Sequence, residues 1–180
     1  MDYELYCATL PNKVIEIINE IEQLIAPREA LETLLVCAGG KPGDKIEWLR
    51  PDEKIQLFNE KINAIKKAMP NIQSINDRIG EVIYFNTEQT TIENAKRAAT
   101  IFEKNLDASI EIGLFYGYDH CCTNADSNMT GLREFIKGTE HFWCKKDCES
   151  SIKIQENNYK IVRNNIPEFK EYLDNFGKLK

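Results

Sequence analysis

The stretch Pro51-Asp52-Glu53-Lys54-Ile55-Gln56-Leu57-Phe58-Asn59-Glu60-Lys61-Ile62-Asn63-Ala64-Ile65-Lys66-Lys67-Ala68-Met69-Pro70 decides the fold class. Ile55, Phe58, Ile62, Ile65 and Met69 recur at alternating steps of three and four residues. That period lines one face of an α-helix with apolar side chains and leaves the charged residues outside. Pro51 suits a first helical position, where no backbone N–H is needed. Pro70 stops the run.

The same period appears on both sides of this helix. Upstream, Val14, Ile17, Ile18, Ile21, Leu24 and Ile25 form a stripe interrupted by Glu16, Asn19, Glu20 and Gln23. Pro27 opens a second helix with Leu31, Leu34, Leu35 and Ala38 as its apolar face, and Gly39-Gly40 ends it. Lys41-Pro42-Gly43-Asp44 reads as a turn. Its glycines follow a helix instead of preceding one, so they do not make a phosphate loop. Downstream, Thr90 or Thr91 caps a helix carrying Ile92, Ala95, Ala98, Ala99 and Phe102. Asp107 caps a shorter one through Ile110, Leu114 and Phe115, although the alternation of Ile110, Ile112 and Leu114 also fits a strand. Ile152, Tyr159 and Val162 mark another helix. Pro167 begins the last, with Phe169, Tyr172, Leu173 and Phe176 on its face and Gly177 after it.

Glu81-Val82-Ile83-Tyr84-Phe85 is short, β-branched and aromatic, and reads as a strand, paired with Lys45-Ile46-Glu47-Trp48. With at least seven helical segments, the expected fold is mainly α with a small β element, in one compact helical domain spanning 1–180.

Composition agrees. The 180 residues are 42% hydrophobic and 29% charged, which is globular. A chain of this length folds without needing disulfides or a metal. The formal charge of -6 argues against general nucleic-acid binding, which rests on basic patches. Met1-Asp2-Tyr3-Glu4 is acidic with no apolar segment behind it, and no run approaches a membrane span. The expected location is therefore cytoplasmic, where thiols stay reduced. A homo-oligomer stays open.

The candidate site is the segment 119–148. Four of the six cysteines and both histidines fall in it: His120, Cys121, Cys122, His141, Cys144 and Cys148. If one helix ran over 132–148, His141, Cys144 and Cys148 would share a stripe opposite Leu132, Phe135, Ile136, Phe142 and Trp143. A loop carrying His120, Cys121 and Cys122 would then cover the stripe. Cys121, Cys122, His141, Cys144 and Cys148 form the ligand pool for a zinc ion or an iron–sulfur cluster. The spacing also leaves open buried thiols without chemistry, a disulfide joining Cys121 or Cys122 to Cys144 or Cys148, and a nucleophilic thiol activated by His120, Lys145 or Lys146. Cys7 and Cys37 read as core residues. Asp126-Ser127-Asn128-Met129-Thr130-Gly131 opens like a calcium loop, but Lys137 stands where the bidentate Glu belongs, so a polar loop ending in a helix cap at Thr130 is the reading. No acid–base pair is recognisable, which also admits a non-catalytic interaction or scaffold protein.

Gly117-Tyr118-Asp119-His120-Cys121-Cys122 resembles the Gly-Tyr-Pro-x-Cys-Cys motif of an uncharacterised archaeal protein family of unknown function. Gly117, Tyr118, Cys121 and Cys122 match, and Asp119 stands in place of the Pro. The resemblance implies that the Cys-Cys pair is a motif. It implies no activity.

Overall fold

The computed structural model describes residues 9–46, 52–76, 82–104, 109–127, 132–136, 139–143 and 148–169. In chain order these form α1 (Asn12–Leu24), α2 (Pro27–Cys37), β1 (Gly43–Lys45), α3 (Asp52–Ala68), β2 (Ile72–Asn76), β3 (Val82–Asn86), α4 (Ile92–Lys104), α5 (Ser109–Phe115), α6 (His120–Ser127), β4 (Leu132–Ile136), β5 (Thr139–Trp143) and α7 (Glu149–Asn165). The fold is mainly α with a small β element, as the helical periods require.

β3 is the centre of a three-stranded antiparallel sheet in the order β1-β3-β2. All five of its residues are buried. Successive strand residues face opposite sides. Accordingly Val82 and Tyr84 enter the larger core with α1, α2, α3 and α7, while Ile83 and Phe85 enter a smaller one with Ala95, Ala98, Ala99 and Phe115. Helices on both faces explain why this strand is apolar throughout instead of alternating. The Phe58 and Tyr84 rings, 5.5 Å apart at 56°, join α3 to the sheet.

The pairing expected for residues 45–48 starts earlier: Gly43, Asp44 and Lys45 pair with Phe85, Tyr84 and Ile83. Ile46 adds one more bond, its N–H donating to Val82 O at 3.0 Å. Glu47 and Trp48 lie outside the described residues, as do Pro51, Asp107, Cys7, Cys144, Thr130 and the chain from 170 onward. β2 was not expected. Ile72-Gln73-Ser74-Ile75-Asn76 carries two apolar residues only, and as an edge strand it buries only Ile72 fully.

Helix ends follow their local chemistry. Gly39 takes φ +76°, its N–H donates to Val36 O at 3.3 Å, and Gly40 N–H donates to Leu35 O at 2.8 Å. This double bond across a left-handed residue closes α2. Thr91 Oγ1 accepts from Asn94 N–H at 3.2 Å and caps α4. α1 buries Val14, Ile17, Ile18 and Ile21, whereas Leu24 is 53% exposed. At about 100° per residue Leu24 sits about 70° from the centre of the stripe, at its margin.

The helix expected over 132–148 is not formed. Residues 132–136 and 139–143 are instead an antiparallel hairpin, pairing Leu132 with Trp143, Glu134 with His141 and Ile136 with Thr139. The local sequence fits this reading as well: β-branched and aromatic residues are frequent, and the two-residue connection contains Gly138. β5 lies beside α6 and α2.

Candidate metal centre

The chain reaches the centre through Gly117. Its φ of +85° reverses the chain after α5, with Gly117 N–H donating to Leu114 O at 3.1 Å and Tyr118 N–H to Gly113 O at 2.9 Å. A Cβ on Gly117 would meet Pro42 Cδ at 2.9 Å. Gly113 lets α6 come as close, since a Cβ there would lie 2.3 Å from Thr123 Cγ2. Asp119 then starts α6. Its Oδ1 accepts from His120 N–H at 2.6 Å and its backbone O accepts from Cys122 and Thr123. The pair expected on a loop thus stands in the first turn of a helix, whose first backbone bonds run from Cys122 and Thr123 N–H to Asp119 O.

Cys148 is the residue just before α7, with φ -69° and ψ 109°, and its O accepts from Ile152 N–H at 3.0 Å. Its sulfur lies 3.7 Å from Cys121 Sγ and 3.7 Å from Cys122 Sγ, and the vicinal sulfurs are 3.8 Å apart. A disulfide holds its sulfurs about 2.05 Å apart, so these three are not bonded to one another. Cys121 is exposed, whereas Cys122 and Cys148 are buried. Ser151, fully buried one turn into α7, places its hydroxyl 3.1 Å from Cys122 Sγ. The triangle of sulfurs thus stands where two helices begin.

Of the expected ligand pool, Cys121, Cys122 and Cys148 converge, with ligand atoms all within 4.8 Å of one another. Cys144 lies outside the described residues. His141 is placed by its backbone in β5, in register with Glu134. The i, i+3, i+7 stripe of His141, Cys144 and Cys148 is lost with the helix that would have carried it. Ser151 had no signal in spacing, since serine carries no metal-ligand pattern.

A second group of polar residues went unread in sequence. Lys41 Nζ lies 2.5 Å from Glu32 Oε2, 3.3 Å from Asp44 Oδ2 and 5.4 Å from the centre of the Tyr116 ring. These side chains are nearly buried. α2 has neighbours on all sides, so Glu29 and Glu32 lie inside although helical spacing puts them off the apolar stripe. Burial foremost, then the Asp44 charge, pushes the Glu29 carboxyl up to about 8. Burial also raises Glu32, against the pull of Lys41. Burial works against the Lys41 charge, but Asp44 and Glu32 outweigh it and hold its pKa above the ordinary lysine range. Glu32, Lys41, Tyr116, Tyr118, Gln155 and Asn158 line a small cavity here. Gln155 is one helical turn beyond Ser151, so α7 borders both this cavity and the sulfur triangle.

Comparison with family models, with curated proteins and with solved structures returned no significant match. Among the described residues no helix is long and apolar enough to cross a membrane.

Proposed function

We propose that the chain binds one soft metal ion, zinc in the first instance, through Cys121, Cys122 and Cys148. The observation that carries this is the equal spacing of the sulfurs, 3.7, 3.7 and 3.8 Å. A tetrahedral zinc with Zn–S bonds of about 2.3 Å sets its sulfurs about 3.8 Å apart. Three mutually adjacent sulfurs suit a single ion. The cysteines of an iron–sulfur cluster are distributed over several irons, so a cluster is the less apt occupant. His141 and Cys144 are the remaining members of the ligand pool read in sequence, and the strand β5 that carries His141 lies beside α6. The site joins α6 to α7 and belongs in a reducing compartment such as the cytoplasm, where thiolates persist as ligands.

Elemental analysis of the full chain, purified anaerobically without an affinity tag, tests this reading. The expected result is close to one zinc per chain, lost in Cys122→Ser and Cys148→Ser. Less than about a tenth of an equivalent of any transition metal overturns it.

A further inference from the structure

The three sulfurs are alike in spacing but not in access. Cys121 is exposed while Cys122 and Cys148 are buried. A dissolved oxidant therefore meets Cys121 first. We propose that Cys121 is an oxidant-reactive site at which a hydroperoxide drives formation of a Cys121–Cys148 disulfide, which releases the metal. This rests on the metal-binding reading above for the release, but not for the disulfide.

The choice of Cys148 over Cys122 follows from the backbone. Adjacent residues across a trans peptide have Cα atoms about 3.8 Å apart. Disulfides require about 4.4–6.8 Å, so Cys121 and Cys122 cannot join without distorting the first turn of α6. Cys148 belongs to a different element, and its sulfur is already 3.7 Å from that of Cys121. Cys122 is further held by the Ser151 hydroxyl at 3.1 Å.

The chemistry balances with hydrogen peroxide as the oxidant. The Cys121 thiolate attacks one peroxide oxygen. An S–O bond forms, the O–O bond breaks, and the second oxygen leaves as hydroxide and takes up a proton to become water. Cys121 is then a sulfenic acid, oxidised by two electrons. The Cys148 thiolate attacks that sulfur, the S–S bond forms, and the sulfenic oxygen leaves as a second hydroxide, again protonated to water. One peroxide is reduced to two waters, and two thiolates become one disulfide. Two of the three described donors are consumed, which leaves Cys122 alone among them.

The test treats the zinc-loaded full chain with hydrogen peroxide. Zinc release is followed with a chromogenic chelator, and disulfides are mapped by mass spectrometry of non-reduced digests. The expected result is a Cys121–Cys148 cross-linked peptide appearing in step with zinc release, and both reversed by dithiothreitol and added zinc. Peroxide-driven thiol loss in metal-free protein should slow by about tenfold or more in Cys121→Ser, since the accessible thiolate is the reactive one. It should be unchanged in Cys37→Ala. A first disulfide that omits Cys121, or zinc release with Cys121 still reduced, overturns the proposal. A protein that purifies without metal yet forms the Cys121–Cys148 bond overturns the metal reading and leaves the disulfide standing. A protein that binds zinc but forms no such bond does the reverse.

Discussion

Cys148 Sγ lies 3.7 Å from Cys122 Sγ although 26 residues separate them in the chain. The two sulfurs are brought together by the docking of α6 against the start of α7, and Ser151 touches Cys122 across the same junction. If a metal bridges that junction, its removal should loosen it. Chelation of the zinc-loaded chain should lower the thermal midpoint, and native-state hydrogen exchange should speed up in the first turns of α6 and α7. Protection in α1 and α3, which share no side chain with the centre, should change far less.

Thiol reactivity should divide along burial. Burial pushes the Cys37 thiol up to about 12. At neutral pH it is then almost entirely protonated and non-nucleophilic. Of the four cysteines described, Cys121 should be alkylated fastest by iodoacetamide in metal-free protein, and Cys37 should label only on unfolding. Mass mapping of partial labelling reads this directly, and prompt labelling of Cys37 in folded protein would contradict it.

Gly117 should not tolerate a side chain. Its φ is +85°, and an added Cβ would meet Pro42 Cδ at 2.9 Å. Gly117→Ala combines left-handed strain with a backbone-supported clash, and should cost about 1–3 kcal/mol. Denaturant unfolding measures the loss. Zinc affinity should fall too, because this turn aims α6.

Lys41 is in direct contact with both Glu32 and Asp44. Lys41→Met leaves their charges buried without it. The expected loss is about 3–5 kcal/mol, the usual cost of breaking a buried pair from one side. Adding Glu32→Gln should recover part of it, which a double-mutant cycle in denaturant would reveal.

The Glu29 carboxyl gives a stability term with a definite sign. Its pKa rises from the ordinary 4.5 to about 8 on folding. Between those values the folded chain holds a proton that the unfolded chain has lost. Stability from this group is therefore complete below about pH 4.5 and declines as pH rises towards 8, by at most about 1.4 kcal/mol per pH unit. Glu29→Gln should flatten the fall in stability between pH 5 and 8 relative to the parent chain. Parallel urea unfolding series at several pH values would show an unchanged slope if Glu29 titrates normally.

The sequence by itself determined the helices whose apolar residues repeat at three and four, the breaks at Gly39 and Pro70, the central strand, and the region of the chain that holds the sulfur centre. Those features rest on interactions within a few residues, which local patterns encode. Residues 132–143 show the limit of such patterns. Leu132, Phe135, Ile136, Phe142 and Trp143 suit a helix face as well as a hairpin, and only pairing across the chain selects the hairpin. The edge strand β2 was illegible for the same reason, since its partner β3 supplies most of its definition.

Tertiary structure alone decided which members of the ligand pool converge. Spacing grouped Cys148 with His141 and Cys144 on one helix, but Cys148 begins a different helix, and its sulfur meets those of Cys121 and Cys122. It also decided that Glu29 and Glu32 lie inside, because α2 is enclosed on every side and charge pattern does not report how many neighbours a helix has. Local period fixes where a side chain points on its own element. Which elements then face each other is set by the packing of the whole core, and the three-sulfur centre is a product of that packing.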